Sequence, residues 1–412
     1  MLDIRNKKEI TAEIQERYKK ASRKQKKTIL DEFVALTGYN RNYASRVLRQ
    51  YYGKLIGSIG SGKRKIRYVV GKDKRSKRNR KRFYDDDVTE ALKKIWAILD
   101  MPCGKRLAPF LPEIIFKLET FDEIKMKSAT KQKLLEVSAS TIDRLLKPIK
   151  EKLRIGKGKS FTKPGTLLKH QIPIKTFSDW DDSAPGYLEA DLVGHEGGNM
   201  QGDFCFSINF VDVATCWDEP VAIKNKAQIW VTNAADKVRG RLPFEILGID
   251  SDNGSEFINN HFLKYCRDHK ITFTRSRSYK KNDSCFIEQK NYSVIRRAVG
   301  YLRYDTDEEL GILNELYGYL RLYINYFIPV RKCLSKTRTG SKIKKNYDES
   351  KPPYRRVLEF NNIDDKIKAK LIKVYDGLNP AELKRKITSL QDKLLKLNSL
   401  KHQVLKDGIE RT

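Results

Sequence analysis

Three acidic residues, Asp191, Asp252 and Glu288, stand where carboxylates could do chemistry together. Their local sequences predict a strand for the first, a strand end for the second and a helix start for the third, and 35 residues separate the last two. Three carboxylates gathered at one point could hold two divalent cations, which phosphodiester cleavage and joining use to activate one oxygen and stabilise another. The constellation therefore suits metal-dependent chemistry on DNA.

Each acid also has an ordinary interpretation. Asp191 could be a surface carboxylate on a half-exposed strand, and Asp252 could belong to a tight connection, because the Asn-Gly pair that comes after it is common in turns. Glu288 could be only a favourable partner of the helix dipole in a first turn. Asp250 lies two residues before Asp252 on the same strand face and competes with it for the same role.

The elements that must position these acids can be predicted from the pattern of apolar residues. Residues 187–193, 204–213 and 217–223 predict three strands in an antiparallel meander. The chain beyond residue 223 alternates between helix and strand, with helices over 226–239 and 255–270 and strands over 244–250 and 271–274. This order predicts a mixed sheet with helices on its faces, in which strands one and four lie side by side.

Residues 1–60 predict helices with a break at 38–40, which is typical of a helix-turn-helix DNA-binding domain. The second helix carries side chains suited to phosphates and to guanine edges in a major groove, namely Arg41, Asn42, Arg46 and Arg49. The pair could equally be plain packing. Residues 61–84 are predicted to be a basic linker along the phosphate backbone, or else a solvated loop.

Residues 85–155 predict a second helical, helix-turn-helix-like domain, whose last helix opens with a capping box of Ser140 and Asp143. This domain could bind DNA or serve only as a spacer or protein contact. Residues 331–360 are predicted to be another basic linker, and residues 361–412 a helical region. Its leucines repeat over only about two heptads, so a packed helical hairpin and an oligomerisation zipper both remain open.

Composition limits the classes of partner. The 412 residues include 84 Lys and Arg against 52 Asp and Glu, a formal net charge of +32, which favours a polyanion over a merely solubilising surface. Nowhere do 18 apolar residues run together, and no apolar signal segment opens the chain, so we expect an intracellular protein. Cysteines and histidines are scattered, so a zinc module has no support and any metal must be held by oxygen.

Several motifs together resemble the integrase core of DDE transposases from bacterial insertion sequences. They are Asp191 in its strand, the run around Asp252 at 251–257, Lys-Asn-Asp at 281–283 and Glu-Gln-Lys-Asn at 288–291. The resemblance covers residues 180–330, and the segments 329–332 and 352–356 are similar to the region just after the core in some of these transposases. It implies a multidomain protein with all-α helix-turn-helix units, a ribonuclease H-like α/β core with a mixed five-stranded sheet, and a helical C-terminal region.

The resemblance also implies a site and its partners. Asp191, Asp252 and Glu288 would hold two Mg²⁺ ions, for which Mn²⁺ could substitute, with Asp191 bridging them. Asp252, and not Asp250, would then be the second ligand. Water would cut the end of a mobile element, and the freed 3′-hydroxyl would then join it to target DNA. Both DNAs are double-stranded, and the basic residues placed to contact them are Lys280, Lys281, Lys290, Arg296 and Arg297.

Two ends must be cut and joined together, so at least a dimer on DNA is expected, in the nucleoid-associated cytoplasm of a bacterium. One departure from the resemblance is the N-terminus, where the histidine-cysteine zinc module of retroviral integrases is absent. Two other functions remain open. The chain could be a DNA-binding regulator derived from a transposase, or a ribonuclease H-like nuclease without strand transfer, although the second would leave the flanking basic regions without a role.

Overall fold

The computed structural model describes residues 4–49, 54–59, 66–70, 83–152, 174–175, 184–252, 254, 256–276, 285–340 and 342–409. The chain divides into two compact units, residues 1–82 and residues 83–412. Among the described residues, no helix is long and apolar enough to cross a membrane.

The first unit contains three helices and a hairpin: α1 (Ile4–Lys20), α2 (Arg23–Thr37), α3 (Arg41–Arg49), β1 (Lys54–Ile59) and β2 (Ile66–Val70). Gly38 ends α2 in the left-handed conformation, at φ 66°, which produces the predicted break. Phe33 of α2 and Ala44 of α3 are fully buried between the helices. The antiparallel strands β1 and β2 were not predicted; they lie where the sequence indicated helix and basic linker, because β-branched residues and Tyr68 favour a strand despite the surrounding charge.

The second unit begins with a helical body: α4 (Asp86–Ile98), α5 (Gly104–Leu107), a 3₁₀ turn (Ala108–Phe110), α6 (Leu111–Thr120), α7 (Ser128–Leu135) and α8 (Ala139–Lys152). Its apolar residues belong to the same hydrophobic core as the sheet. The predicted capping box is wrong in detail, because the Thr141 amide donates to the Ser138 hydroxyl at 3.3 Å. Asp143 instead accepts a hydrogen bond from the Gly104 amide at 3.0 Å. A side chain on residue 104 would collide with the carbonyl oxygen of Ala139.

The centre of the second unit is a mixed sheet: β3 (Ile174–Lys175), β4 (Tyr187–Gly194), β5 (Phe206–Asp212), β6 (Asp218–Ile223), β7 (Gly248–Ser251) and β8 (Thr272–Ser276). The order is β3-β8-β7-β4-β5-β6. Strands β4, β5 and β6 form the predicted antiparallel meander, while β7 runs parallel to both β4 and β8. The predicted mixed five-stranded sheet is confirmed, with the two-residue β3 added at its edge.

Helices cover this sheet: α9 (Gln228–Arg239), α10 (Asn260–Asp268), α11 (Cys285–Lys290), α12 (Arg297–Val299) and α13 (Asp307–Phe327). Helices α11 and α12 are joined by a π-helical segment, Asn291–Arg296. Thr306 and Glu309 form a capping box that opens α13, and Glu309 is buried there.

The C-terminal part comprises β9 (Cys333–Thr339), β10 (Lys342–Tyr347), α14 (Pro353–Glu359), α15 (Asp365–Gly377) and α16 (Pro380–Ile409). Strands β9 and β10 form an antiparallel hairpin, and with α14 they occupy the segment predicted to be a basic linker. Leu383, Ile387 and Leu394 of α16 are buried, and α16 packs along α13. The buried part of the leucine repeat therefore packs α16 against α13, and not against the neighbouring C-terminal helix α15 as in a helical hairpin.

Candidate active site

Asp191 and Asp252 are brought together by the register of two parallel strands. Tyr187 to Ala190 of β4 pair with Gly248 to Ser251 of β7, so each aspartate is the next residue after the last pair. Neighbouring strands lie about 5 Å apart, so the two carboxylates are held at adjacent positions of the sheet. Both side chains are partly buried.

Glu288 lies in the helix that crosses above these strands, between two hydrogen bonds to β4. On one side, the Ile287 amide donates to Glu189 Oε2 at 2.7 Å. On the other, Asn291 Nδ2 donates to Asp191 Oδ2 at 2.7 Å. Glu189 is fully buried and is a favourable partner for a helix N-terminus, so the start of α11 is fixed on the sheet while Glu288 itself is exposed.

The charges of these acids act on one another. Burial raises the pKa of Asp191 well above its ordinary range, and the neighbouring carboxylates of Asp252, Glu256 and Glu288 raise it further, while the Leu192 amide opposes the shift. Burial also raises the pKa of Asp252, against the hydrogen bond that its Oδ1 accepts from the Gly254 amide at 2.9 Å. The protein thus gathers negative charge at a partly buried point, which is unfavourable until something positive meets it.

Glu256 belongs to this acidic group although no role for it was predicted from its place in the sequence. A side chain on residue 254 would come within 2.6 Å of the Glu256 carboxylate and 2.9 Å of Asp252 Oδ1. A side chain at position 254 would therefore displace the Glu256 and Asp252 carboxylates, which both lie against this glycine.

These residues fit a hard divalent cation in their chemistry. Their donors are carboxylate oxygens, which Mg²⁺ prefers, and a cation would offset the repulsion that raises the pKa of Asp191. Within the part of the chain that the structure describes, however, no three His, Cys, Asp or Glu side chains are close enough to share one ion. Asp191 and Asp252 are the pair that the sheet brings together, and Glu288 approaches them from the helix.

A polar network supports Asp191 from the other side. Asn209 of β5 is its partner in the strand register, and Asn209 Nδ2 donates to Asn291 Oδ1 at 3.4 Å. Both asparagines are buried. Burial raises the pKa of Asp218, and a hydrogen bond from Asn209 acts against this rise. Lys290 forms an ion pair with Asp218 at 3.2 Å. Asn291, Asn209 and Asp218 had no predicted role; only Asn291 stood in a quoted motif.

Asp250, the competitor of Asp252, is buried and accepts a hydrogen bond from Thr274 Oγ1 at 2.5 Å. It is thus engaged with β8, whereas Asp252 lies beyond the end of β7 beside Asp191.

The basic residues predicted to contact DNA have different surroundings. On α3, Arg41, Asn42, Arg46 and Arg49 are all exposed, with Arg41 paired to Asp31. Lys280 and Lys281 lie outside the described residues. The remaining three interact with protein groups. Lys290 forms an ion pair with Asp218, Arg296 donates to the Gly194 carbonyl at 2.9 Å, and Arg297 forms an ion pair with Asp100 at 2.9 Å. A DNA contact by these three would require such partners to be exchanged, and all nine contacts stay predictions.

Comparisons with known proteins give one relative and several similar structures. No protein-family model matches the sequence. Among solved structures, the catalytic core domain of BIV integrase aligns at 16% identity over 43% of this chain and 95% of that one, with a TM-score of 0.30. The HTLV-2 integrase catalytic core domain in complex with magnesium aligns at 14% identity over 36% of this chain and 93% of that one, with a TM-score of 0.28.

The relative is the uncharacterized protein y4rM of Sinorhizobium fredii (strain NBRC 101917 / NGR234). It is 37% identical over 348 residues, which cover 84% of this chain and 94% of y4rM. The chain therefore belongs to the same protein family as y4rM.

Proposed function

We propose that this protein is a metal-dependent polynucleotidyl transferase, and specifically the transposase of a bacterial insertion sequence. It would bind the ends of its element, cut them and join them to target DNA through Asp191, Asp252 and Glu288. One observation carries the proposal. Asp191 on β4 lies next to Asp252, the residue that directly follows the parallel strand β7, and Asp191 accepts a hydrogen bond from Asn291, one helical turn after Glu288.

The three carboxylates would hold two Mg²⁺ ions, or Mn²⁺ in their place. When bound, these ions would activate the attacking oxygen and stabilise the leaving one. Asn291 orients the Asp191 carboxylate, and the Glu189 contact to the Ile287 amide sets the height of Glu288 above the sheet. Holding the ligands in this way removes the need to reorganise them during the reaction.

DNA binding would come from the basic surfaces of the chain. On α3, Asn42, Arg46 and Arg49 recur at helical spacing on the exposed side, opposite buried Ala44 and Leu48. This is the placement required of a recognition helix in a major groove. The net charge of +32 would supply the affinity for phosphates that does not depend on sequence. Joining two ends in one reaction requires at least a dimer on DNA.

The test is a joining assay with labelled DNA that carries the ends of the encoding element and a supercoiled target, in Mg²⁺ or Mn²⁺. Asp191→Asn, Asp252→Asn and Glu288→Gln should each lower joining on the order of 10³-fold or more, because the carboxylates act as a unit. Asp203→Asn, at an exposed loop position, is the matched control and should join normally.

A DNA-binding regulator is the second candidate, favoured by the exposure of Glu288 and by the lack of a three-acid cluster among the residues described. Tight binding of element ends with no cleavage by any form of the protein would support the regulator. Metal-dependent cleavage without joining would support a ribonuclease H-like nuclease instead.

A further inference from the structure

The hairpin β9–β10, residues 333–347, is a strongly basic two-stranded ribbon, called here the basic ribbon. Thr339 pairs with Lys342, so the connection is only two residues long, and Gly340 opens it at φ 60°. The basic ribbon contains five basic residues and no acidic one: Lys336, Arg338, Lys342, Lys344 and Lys345. It projects a charge of +5 from a single short element.

Like charges occupy opposite positions within the basic ribbon. Lys345 is paired in register with Lys336, and like charges directly opposite each other destabilise a strand pair. The side chains of Leu334, Thr337, Lys344 and Lys345 are exposed, so at these positions little apolar surface is buried that could offset the repulsion. An isolated two-stranded hairpin is only marginally stable in water. A polyanion would remove the repulsion and order the ribbon.

The foot of the basic ribbon is firmly fixed, in contrast to its exposed arm. Val330 and Lys351 are bridged by two backbone hydrogen bonds of 3.0 and 3.2 Å. The Lys332 amide donates to Asp348 Oδ1 at 2.7 Å. Arg356, which is 5% exposed, pairs with Asp348 and donates to the Val330 carbonyl at 3.0 Å. The ribbon is therefore a directed arm, because its base has a defined position on the second unit.

That position is beside the helix of the proposed site. Lys332 Nζ, at the foot, donates to the Ala214 carbonyl at 3.3 Å. Lys290, two residues after Glu288, donates to the Cys216 carbonyl at 3.4 Å. Both lysines therefore contact the same short loop between β5 and β6. If a DNA duplex places a phosphate at the carboxylates, the base pairs next to that phosphate would lie close enough to contact the basic ribbon.

We propose that the basic ribbon binds duplex DNA by lying in its major groove, next to the phosphate on which the carboxylates act; this inference rests on the proposed function. Strands of seven and six residues give the ribbon a length of about 20–23 Å and a distance of about 5 Å between its two strands. The major groove of B-form DNA, about 12 Å wide, admits such a ribbon. The narrow, deep major groove of duplex RNA does not, which selects DNA as the partner.

The test compares two variants of the full chain that lose the same charge. One is Lys344→Gln with Lys345→Gln, both exposed on β10, and the control is Lys366→Gln with Lys373→Gln, both exposed on α15. Binding to a labelled DNA duplex of arbitrary sequence is measured in EDTA across a range of salt concentrations. The ribbon variant should reduce the slope of log affinity against log salt by about 2, and should bind roughly 10- to 50-fold more weakly at about 0.1 M salt. The control should retain the wild-type slope.

The possible results are easily distinguished. The proposal would be overturned by an unchanged slope in the ribbon variant, or by an equal loss of DNA affinity in both variants. The lysines of the ribbon would then contribute no more to DNA binding than other surface charges do. Binding of duplex RNA with the same affinity and the same dependence on Lys344 and Lys345 would overturn the groove mode. The assay contains no metal, so failure of the joining chemistry leaves its result intact. If the ribbon variant joins and binds DNA normally, the proposed DNA-binding role of the ribbon would be refuted, while the proposed function of the protein would stand.

Discussion

Neutralising Asp252 should stabilise the metal-free protein even though it should abolish the proposed activity. Asp252 is the neighbouring charge that most raises the pKa of Asp191, so the two carboxylates repel each other. In Asp252→Asn the amide oxygen can still accept the hydrogen bond that the Gly254 amide donates to Oδ1 at 2.9 Å. The substitution therefore removes a charge without removing a hydrogen bond.

The magnitude can be worked from the strand geometry. The two aspartates occupy adjacent positions on neighbouring strands, which lie about 5 Å apart. Two unit charges at that separation repel by about 3 kcal/mol at an effective dielectric constant of 20. Both side chains are partly exposed, so solvent screening reduces the gain to about 1–2 kcal/mol. For a folded unit of this size, that is a rise of about 2–5 °C in melting temperature.

The assay is thermal unfolding of the wild type, Asp252→Asn and the control Asp203→Asn, first in EDTA and then in Mg²⁺. In EDTA, Asp252→Asn should melt at a higher temperature than the wild type. Asp203→Asn should melt at the same temperature as the wild type, because Asp203 is exposed in a loop. Mg²⁺ should raise the melting temperature of the wild type, since an ion that binds only the folded state stabilises it. The gain should be small in Asp252→Asn.

Two results would refute this reasoning. If Asp252→Asn melts at or below the wild type in EDTA, the carboxylates do not repel each other as the structure indicates. If Mg²⁺ raises the melting temperature of both proteins equally, the ion binds elsewhere.

Three further predictions concern pH, the support of Asp191 and the helical body. The folded-state pKa of Asp191 lies above its ordinary value of 3.8, so the folded protein holds this proton more tightly than the unfolded chain. Metal-free wild type should therefore lose stability as pH rises from 3.8 through the raised pKa, and its difference from Asp252→Asn should shrink in melts at low pH. Asn291→Leu removes a hydrogen bond to a charged carboxylate, worth about 1.5–3 kcal/mol, so single-turnover joining should slow by about 10- to 100-fold with DNA affinity unchanged; an unchanged rate would contradict the positioning role. Lys117→Met should lower the free energy of unfolding in urea by about 1–3 kcal/mol, because buried Lys117 Nζ donates to the carbonyls of Tyr375 and Asp376 at 2.7 and 2.9 Å, in the last turn of α15; a wild-type urea midpoint would show that these carbonyls find other partners.

The sheet and the pairing of Asp191 with Asp252 could be predicted from the sequence because both depend on local patterns. Apolar runs bounded by turn residues mark the strands, and the order of three strands and then alternating helix and strand restricts the topology to few choices. Once β4 and β7 pair in this register, Asp191 lies next to Asp252, the residue that follows β7. The boundaries were less accurate: the strand predicted over 244–250 is Gly248–Ser251, because the end of an apolar run does not mark where pairing begins.

The support of the site could not be predicted, because it depends on long-range register. Asn209 faces Asp191 only through the pairing of β4 with β5, and nothing in its own surroundings in the sequence marks it. Lys290 was predicted to meet DNA, but its ion pair with Asp218 joins residues 72 positions apart, and the structure turns it inward. The hairpin of residues 333–347 was not predicted for another reason. Its charge is typical of linkers, and none of the side chains that the structure describes in its two strands is buried, so no alternation marks it.

The division of the acids between sheet and helix has a physical consequence. Asp191 lies within a paired strand and Asp252 directly follows one, so strand pairing sets where the two residues lie in the backbone. Glu288 belongs to a helix held by one hydrogen bond on each side of it, from the Ile287 amide to Glu189 and from Asn291 to Asp191. The hydrogen bond from Asn291 is accepted by Asp191, a proposed metal ligand. A change in the charge or position of Asp191 would therefore act directly on the helix that carries Glu288. In the proposed site, Asp191 and Asp252 would define the place of the cation, and Glu288 would be coupled to its arrival. This is why we expect Asn291→Leu to slow joining without weakening the binding of DNA.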